Sequence, residues 1–519
     1  MLKQLTLVLF SMIAVSSLAQ TVAFNADYSN VAENGGSVLI EVKVTGTFTA
    51  DAQVTIAPIE PASASSSNFE FAETVIDIPA GTATNFFVEA VVFDNGTADS
   101  EVFFTLGLSN AVNCSIGSKS THFVFIQDDE VSVPQASGAL TMNFLTSYLV
   151  DASGSAEIVA YDAQSLRLFV LNSSATKVNV LDFSDPSNIT EIGSLDMSAF
   201  GSGATSVAVY NGLVAASVDG VDYGPGSVVF LDVDGNFISA VQVGVLPDMV
   251  TFTHDGLSLL VANEGEPAQE YAVDPEGSIS RIDLSNGAAS LTQSDVITID
   301  FHAFDAQIDQ LKAAGVRIFG LNSSVSQDLE PEYITISDDN TKAWVTLQEN
   351  NALAVVDLIT NTVTEIVPLG TKDHSLPQNS LDCSDRNGEI FMANWNIKGM
   401  FMPDAISHFT IAGVDYLVTA NEGDQREYGV IDEDVSVKSN SYILDPTAFP
   451  DAALLKKDQL LGRLAVSPYS GDTDGDGDFD EIHAFGTRSF SIWNGQTGAL
   501  VYDSGNDFEK ITAADPVFG

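Results

Sequence analysis

Five aspartates alternate with other residues in the stretch GDTDGDGDFDE, Gly471 to Glu481. They are Asp472, Asp474, Asp476, Asp478 and Asp480, and Gly477 lies where the loop must reverse. Alternate carboxylates on a coiled loop converge, and Ca²⁺ prefers several oxygen ligands of this kind. The twelfth position is His483 instead of the Glu of a helix-loop-helix calcium site. We therefore predict a calcium loop between two strands, LAVSPYS and IHAFG; the alternative is a solvated acidic turn.

A second set of candidates comes from a repeated segment. LPDMVTFTHDGLSLLVANEGEP, EPEYITISDDNTKAWVTLQENN and PDAISHFTIAGVDYLVTANEGDQ share the order proline, polar turn, strand, turn, strand, amide and glutamate. The pairs Asn263-Glu264, Gln348-Glu349 and Asn421-Glu422 should therefore occupy equivalent positions. With Asp424, Arg426 and Arg488 they form a possible site on one face of the fold.

Metal-dependent hydrolysis of a phosphate ester is one chemistry that these residue types allow, because acids hold metal ions while an arginine receives the phosphate. The candidates are Glu264, Glu266, Glu349, Glu422, Asp424, Arg426, Asp385, Arg386, His374 and Arg488. No nucleophile with an adjacent base is visible, so we favour ion pairs and amide contacts that brace the fold. A third reading is a pure binding module, in which this face takes a glycan, a peptide or a partner protein.

The charge of the chain limits its partners. Lys and Arg total 19 against 71 Asp and Glu, which gives a formal net charge of −52. Such a chain repels nucleic acid and anionic membrane surfaces, so we predict no nucleic-acid partner. Calcium ions and an unidentified surface ligand or protein are the expected partners. The alternative cause of the acidity is solubility alone.

The first twenty residues, MLKQLTLVLFSMIAVSSLAQ, combine an early Lys3, an apolar stretch and a small-residue exit. This pattern predicts a secretion signal, residues 1–20, that is removed after Ala19 or Gln20. No later apolar run approaches the roughly 18 residues of a membrane helix. We expect a secreted or cell-surface protein with no transmembrane segment in this chain.

Residues 21–130 alternate apolar and polar side chains. The strand-like segments are VAFNADY, SVLIEVKVTG, DAQVTIAPI, TVIDIPA, NFFVEAVVF, VFFTLGL and THFVFIQ. Seven short strands at about ten-residue spacing predict an antiparallel, immunoglobulin-like β-sandwich.

VAFNADYSNVAENGG, IPAGTATNFFVEAVVFDNGTADSEVFFTLGLSNA and FVFIQDDE resemble the Calx-beta domain over about 110 residues. The resemblance implies calcium held by loop acids at one end of the sandwich. The matching positions are Glu33, Asp94, Asp128, Asp129 and Glu130. The family's acidic run is thinned here to Asp94-Asn95-Gly96, and SASSSNFEF replaces its Asp-Gly-Thr loop, so a purely structural sandwich stays open.

Beyond a linker, residues 131–140, an apolar strand that ends in Asp recurs. The Asp lies at 182, 232, 283 and 357, and Asn494 stands in the last repeat. The first two spacings suit four-stranded propeller blades, which bury their apolar faces only by stacking. The segment from His302 has Phe304, Ile308 and Leu311 at helical spacing and should be an inserted helix that packs on the blades.

Residues 140–519 resemble the choice-of-anchor I family, related to mesenchyme-specific cell surface glycoproteins. The resemblance rests on VANEGEP, LEPEYITIS, WVTLQENNALAVVDL, DHSLPQNSLDCSDRNG, NWNIKGMFMPDAI, YLVTANEGDQREY and FGTRSFSIW in family order. It implies an exported β-propeller. We expect an all-β chain: a sandwich at 21–130, then a propeller at 141–519, seven-bladed when complete, with its last blades and anchor missing. The function we infer is that of a calcium-binding β-propeller protein that acts as an adhesion or ligand-binding module.

Overall fold

The computed structural model describes residues 20–130, 133–135, 138, 140, 142–151 and 156–515. Residues 1–19, which hold nearly all of the predicted secretion signal, lie outside the described residues. The chain forms two compact units. Unit 1 comprises Met1–Ser132, Asp382–Asn394 and Asp451–Leu461; unit 2 comprises Val133–Leu381, Trp395–Pro450 and Gly462–Gly519.

Unit 1 is a sandwich of two five-stranded sheets, ordered β5-β7-β3-β1-β9 and β2-β10-β8-β4-β6. The strands are β1 Thr21–Phe24, β2 Tyr28–Ala32, β3 Ser37–Thr45, β4 Ala52–Ile59, β5 Phe69–Glu70, β6 Thr74–Ile78, β7 Phe86–Val92, β8 Val102–Val112, β9 Ser115–Ile116 and β10 Thr121–Gln127. All seven predicted segments form strands, and β2, β5 and β9 are additional short ones. Alternate residues such as Ile40, Val42 and Val88 are buried between the sheets.

Two segments distant in sequence complete unit 1. In Asp382–Asn394, the Phe391 ring packs 4.8 Å from the Phe125 ring of β10. The Glu101 and Met392 backbones are joined by a hydrogen bond from Glu101 N to Met392 O, 3.1 Å long. Met392 N in turn donates to Glu101 Oε2 at 2.6 Å. Aromatic contact and backbone pairing therefore hold this segment on the sheet.

Unit 2 contains, among its described residues, five four-stranded sheets and one three-stranded sheet. The strands of the first four sheets are β11 Ala156–Asp162, β12 Arg167–Asn172, β13 Lys177–Asp182, β14 Thr190–Asp196; β15 Gly203–Tyr210, β16 Leu213–Asp219, β17 Pro225–Asp232, β18 Phe237–Val245; β19 Pro247–Phe252, β20 Ser258–Asn263, β21 Ser278–Asp283, β22 Val296–Ile299; and β23 Pro331–Ile336, β24 Lys342–Leu347, β25 Ala352–Asp357, β26 Thr362–Pro368. The others are β27 Thr371–Asp373, β28 Lys398–Met400, β29 Ile406–Ile411, β30 Val414–Asn421, β31 His483–Phe485, β32 Ser489–Asn494 and β33 Leu500–Asp503. β27-β28-β31 form the small sheet and β29-β30-β32-β33 the last four-stranded one.

The repeated Asp ends the third strand of each four-stranded sheet. Asp182, Asp232, Asp283 and Asp357 close β13, β17, β21 and β25, and Asn494 closes β32. In each case the side-chain oxygen accepts a hydrogen bond from the backbone N–H two residues later, at 2.8 to 3.0 Å. This local bond stabilises the turn into the fourth strand, which is why the repeat is visible in the sequence.

Successive four-stranded sheets meet through their first strands. β11 packs on β15, β15 on β19, β19 on β23 and β23 on β29. Buried apolar side chains such as Leu260, Ile334 and Val345 fill the space between neighbouring sheets. The predicted fold class is confirmed: the chain is all-β, with a sandwich followed by a propeller-like arrangement of sheets.

Helices are few and short. The described ones are α1 Ile308–Ala314, α2 Val325–Asp328, α3 Ala452–Leu455 and α4 Asp507–Ala514. The helical prediction from His302 is confirmed as a 3-10 turn, His302–Gln307, that continues into α1. Phe304 and Leu311 are buried in the apolar core, and Ile308 packs against it. Among the described residues, no helix is long and apolar enough to cross a bilayer.

Candidate functional site

In three neighbouring sheets of unit 2, a proline followed by an acid stands at the start of the first strand or just before it. Pro247-Asp248 opens β19 and Pro331-Glu332 opens β23. Asp404 follows Pro403 just before β29. The three carboxylates therefore enter at the same end of three successive sheets.

The second strand of each of these sheets ends beside that acid and is followed by a glutamate. Glu264, Glu349 and Glu422 follow β20, β24 and β30, as the repeated segment predicts. Antiparallel pairing places Pro247 opposite Asn263 and Pro331 opposite Leu347. We call these six residues the strand-end acids: Asp248, Glu264, Glu332, Glu349, Asp404 and Glu422.

Amides directly before two of the glutamates brace the strand ends. The Asn263 Nδ2 group donates to the Ser280 hydroxyl at 3.1 Å, and its Oδ1 accepts from Gly244 N at 3.1 Å. Asn421 Nδ2 donates to the Ser491 hydroxyl at 2.8 Å. Both amides are buried. They fix the backbone from which Glu264 and Glu422 project, so their own role is structural.

Three of the strand-end acids form a close group. One carboxylate oxygen each from Asp248, Glu264 and Glu332 lies within 4.8 Å of the other two. Glu264 is 7% exposed, whereas Asp248 and Glu332 are half-buried and reach solvent. Glu349 is 6% exposed, and its Oε2 is buried without a hydrogen-bond partner. The donor set is oxygen-only, which suits hard cations such as Ca²⁺, Mg²⁺ and Mn²⁺.

The carboxylates of this group lie close together, and this crowding affects their pKa values. Burial, with the charges of Asp404 and Glu157, raises the pKa of Asp248 to about 7. Burial raises the pKa of Glu332 well above its ordinary value, and the neighbouring carboxylates Glu349, Asp248 and Asp404 raise it further. Ionised carboxylates this close repel one another, and a bound cation would relieve that repulsion.

Arg426 is buried beside these acids and is already paired. Its Nη1 lies 3.0 Å from Asp328 Oδ1 and its Nη2 lies 3.2 Å from Glu330 Oε1. The guanidinium carbon lies 4.8 Å from the Phe319 ring centre. Burial alone would lower the Arg426 pKa, but Glu330 and Asp328 hold it above its ordinary value. Arg426 therefore braces buried acids instead of presenting its charge to solvent.

The other predicted face residues separate into different surroundings. Glu422 and Asp424 are exposed and lie near Asp404. Burial raises the pKa of Asp404, and the charges of Glu422 and Asp424 raise it further. The Arg488 side chain turns to Glu509, with Nη1 2.7 Å from Oε1. His374, another enzyme candidate, is buried, and its Nδ1 lies 2.8 Å from Asn379 O. The candidates Asp385 and Arg386 belong to unit 1, where Arg386 Nε lies 3.7 Å from Asp385 Oδ1.

In unit 1, the sandwich-loop acids, Glu33, Asp94, Asp128, Asp129 and Glu130, come from three loops. One oxygen each from Glu33, Asp129 and Glu130 lies within 4.8 Å of the others. Glu33 is 4% exposed, and its Oε1 has no hydrogen-bond partner; Glu130 Oε2 is likewise buried and unpartnered. Burial and a contact with Glu130 raise the Glu33 pKa to about 7.

The remaining sandwich-loop acids fix the loop backbones. Asp128 Oδ1 accepts from Glu130 N at 2.7 Å, and its Oδ2 accepts from Asp99 N at 2.5 Å. Asp94 Oδ1 accepts from Gly96 N at 2.7 Å. Asp128 and Asp94 therefore shape the loops that present Glu33, Asp129 and Glu130.

The aspartate loop, Gly471–Glu481, closes where Glu481 N donates to Gly471 O at 3.1 Å. A side chain at Gly471 would meet Glu481 O at 2.3 Å, so only glycine fits there. β31 follows the loop as predicted. The prediction of a strand LAVSPYS before the loop is wrong, because Ala465 and Val466 make only isolated bridges, to Ser436 and Ala484.

The loop aspartates form two groups instead of one. Asp472, Asp474 and Asp480 lie together, and Asp478 and Asp480 lie with Asp445. Asp476 belongs to neither group, and its Oδ1 accepts from Asp478 N at 3.2 Å. Asp476 raises the pKa of Asp474, and burial and the nearby carboxylates have the same effect.

Sequence comparison identifies the larger part of the chain. The model of the choice-of-anchor I domain matches residues 157–518, which is more than half of the chain. The chain belongs to the choice-of-anchor I family. All six strand-end acids lie inside the choice-of-anchor I domain, and so does the aspartate loop. A comparison with curated proteins found no match.

Solved structures resemble the chain only weakly. The apo-form Calx CBD1 domain is 18% identical, and the match covers 22% of this chain and 100% of that one at a TM-score of 0.21. A protein from Lactobacillus plantarum is 12% identical over 72% of this chain and 89% of that one, at a TM-score of 0.34. Kuenenia stuttgartiensis hydrazine synthase is 11% identical, and the match covers 62% of this chain and 89% of that one at a TM-score of 0.28. Likenesses this weak carry no argument about site or function.

Sequence reasoning missed Asp248, Glu332 and Asp404 as site residues of the choice-of-anchor I domain. The signal was present, because each acid follows the proline that begins a copy of the repeated segment. Each glutamate stands beside an amide that recurs in the repeat, whereas the opening acids resemble ordinary turn residues. Only the antiparallel register shows that the two ends of each segment meet.

Proposed function

We propose that this chain is an exported calcium-binding module that acts in adhesion or ligand binding at the cell surface. Membership of the choice-of-anchor I family and the all-β architecture fit a β-rich module outside the cell. Calcium held by the sandwich-loop acids would fix the loops at one end of the sandwich.

The observation that carries this proposal is the pair of unpartnered oxygens in unit 1. Glu33 Oε1 and Glu130 Oε2 are buried acceptors without a donor, and Asp129 contributes a third oxygen to the group. A buried carboxylate needs a donor, a proton or a cation. Extracellular calcium modules bind with Kd values of roughly 10⁻⁴ to 10⁻³ M, and three carboxylates at loop ends fit such a site.

The aspartate loop supports the same proposal in unit 2. Its two groups of oxygens share Asp480, which accepts from Thr473 N at 2.8 Å. A calcium ion there would relieve the repulsion between Asp474 and Asp476 and make the loop rigid. We infer a stabilising role for this ion.

Hydrolysis of a phosphate ester is the weaker candidate. It requires a cation that can reach the phosphate, and the two arginines considered for this role are paired with Asp328, Glu330 and Glu509. We therefore favour binding over catalysis. Turnover of an aryl phosphate with calcium, lost in the Arg426→Ala variant that still folds, would reverse this preference.

Calorimetric titration of the chelator-treated full chain with calcium tests the proposal. Glu33→Gln should weaken one binding step by about tenfold or more, since a second-shell change alone costs 10-fold to 100-fold. Glu89→Gln, an exposed glutamate on β7, is the matched control and should bind as the parent does. Equal calcium binding in Glu33→Gln and the control would contradict the proposal.

A further inference from the structure

We propose that unit 2 contains a further divalent-cation centre, separate from the sandwich-loop acids and from the aspartate loop, in which Asp248, Glu264 and Glu332 bind a hard cation and Glu349 completes the set. The site lies where two neighbouring sheets bring their strand ends together. It takes Ca²⁺ or Mn²⁺ through oxygen ligands only.

The first argument is the way in which the ligands are supplied. Asp248 and Glu332 enter from the first strands of neighbouring sheets, and Glu264 and Glu349 from the second strands of the same sheets. Four carboxylates from two sheets are therefore supplied at, or one to two residues past, the ends of paired strands. The oxygens of Asp248, Glu264 and Glu332 already lie within 4.8 Å of one another, which is the span of ligands around one ion.

The second argument is the unpartnered oxygen of Glu349. Its side chain is 6% exposed, and Oε2 has no hydrogen-bond partner. The charge of Glu349 raises the pKa of both Glu264 and Glu332, so its carboxylate lies close to theirs. A buried carboxylate oxygen without a donor is costly unless a cation or a proton lies against it.

The third argument is the balance of charge. Asp248, Glu264, Glu332 and Glu349 carry −4 when ionised, and the nearby Arg426 is bonded to Asp328 and Glu330. One divalent ion would halve that charge. The half-buried Asp248 and Glu332 border solvent, so the bound ion would keep positions for water or for an oxygen-bearing ligand from outside.

The test uses the full chain in a background that disables both calcium sites proposed above, with Glu33→Gln and Asp129→Asn in the sandwich loops and Asp474→Ala in the aspartate loop. Calcium and manganese are titrated calorimetrically into this parent, into its Glu332→Gln and Asp248→Asn derivatives, and into a Glu365→Gln control. Glu365 is an exposed glutamate on β26. Glu332→Gln and Asp248→Asn each keep nearly the shape of the native side chain and remove one negative charge.

The parent and the control should bind an ion that Glu332→Gln and Asp248→Asn bind at least tenfold more weakly. In chelator, the melting temperature of both derivatives should equal or exceed that of the parent, because one repelling charge has been removed. Added metal should raise the melting temperature of the derivatives less than it raises that of the parent. Binding that is equal in the derivatives and the control would overturn the proposal and leave carboxylates that share protons. Since the sandwich-loop and aspartate-loop sites are disabled in every sample, a failure of the proposed function cannot be mistaken for a failure of this centre.

Discussion

Asp248 and Glu332 occupy the same position in two neighbouring sheets, each directly after the proline that begins the first strand, and their carboxylate oxygens lie within 4.8 Å of each other. When two acids lie this close, ionisation of both is energetically unfavourable unless a counter-charge is present. Their equivalence shows that the repeat itself builds the acidic site. Each additional copy adds one acid from a strand start and one from a strand end.

Calcium should stabilise unit 1 through Glu33. We expect the free energy of unfolding to rise by about 2.7 kcal/mol when calcium exceeds the Kd a hundredfold. Glu33→Gln should lose this gain and, in chelator at pH 7.5, should be at least as stable as the parent, because one of two facing carboxylates is neutral. Urea unfolding with and without calcium measures both effects, and an undiminished gain in Glu33→Gln would contradict them.

Within the aspartate loop, Asp474 and Asp476 should differ. Asp474 shares a group of oxygens with Asp472 and Asp480, whereas Asp476 does not. Asp474→Ala should therefore weaken calcium binding more than Asp476→Ala does. Terbium luminescence, displaced by calcium, reports on the loop. An equal loss in the two variants would show that all five aspartates converge on one ion after all.

Replacing Arg426 should be costly. Arg426→Met leaves Asp328 and Glu330 buried without their partner, and removal of one member of a buried pair costs about 3–5 kcal/mol. Arg488→Met is the control, since Arg488 is half exposed beside Glu509 and such a pair contributes about 1 kcal/mol or less. Chemical unfolding of the two variants at pH 7 gives the comparison. Similar losses would refute the bracing role of Arg426.

The buried Glu101 of unit 1 should give a pH dependence of its own. Burial raises its pKa to about 8, although the Met392 N–H partly opposes the shift. The folded state therefore holds this proton more tightly than the unfolded state, whose pKa is about 4.3. The resulting stability is complete below the unfolded pKa and is lost as pH rises through about 8.

Glu101→Gln removes this titration and retains an oxygen that can accept from Met392 N. Its melting temperature relative to the parent should rise between pH 6 and pH 9. Glu89→Gln should follow the parent over the same range, because Glu89 is exposed. A Glu101→Gln curve parallel to that of the parent would show that Glu101 is ionised throughout.

Local patterns predicted much of this fold because the forces behind them are local. The alternation along Ser37–Thr45 follows from one buried and one exposed face, and the Asp at each third-strand end bonds to its own turn. Asp382–Asn394 shows the opposite case. Its place in unit 1 depends on Phe391 and Met392 meeting residues almost 300 positions earlier, and no local signal reports such a contact.

The candidate sites divide in the same way. The resemblance to the Calx-beta domain named Glu33, Asp129 and Glu130, which the structure brings together. The strand-end acids needed the register between β19 and β20 and between β23 and β24, together with the packing of one sheet on the next. Spacing along the chain cannot reveal which strand ends meet in space.

The most direct test of cation neutralisation is an anomalous difference map from crystals of the full chain grown with manganese or calcium. We predict one peak among Glu33, Asp129 and Glu130 and another among Asp248, Glu264 and Glu332, each about 2.0 to 2.6 Å from carboxylate oxygens. Well-ordered carboxylates at both places without an anomalous peak at saturating metal would contradict the account.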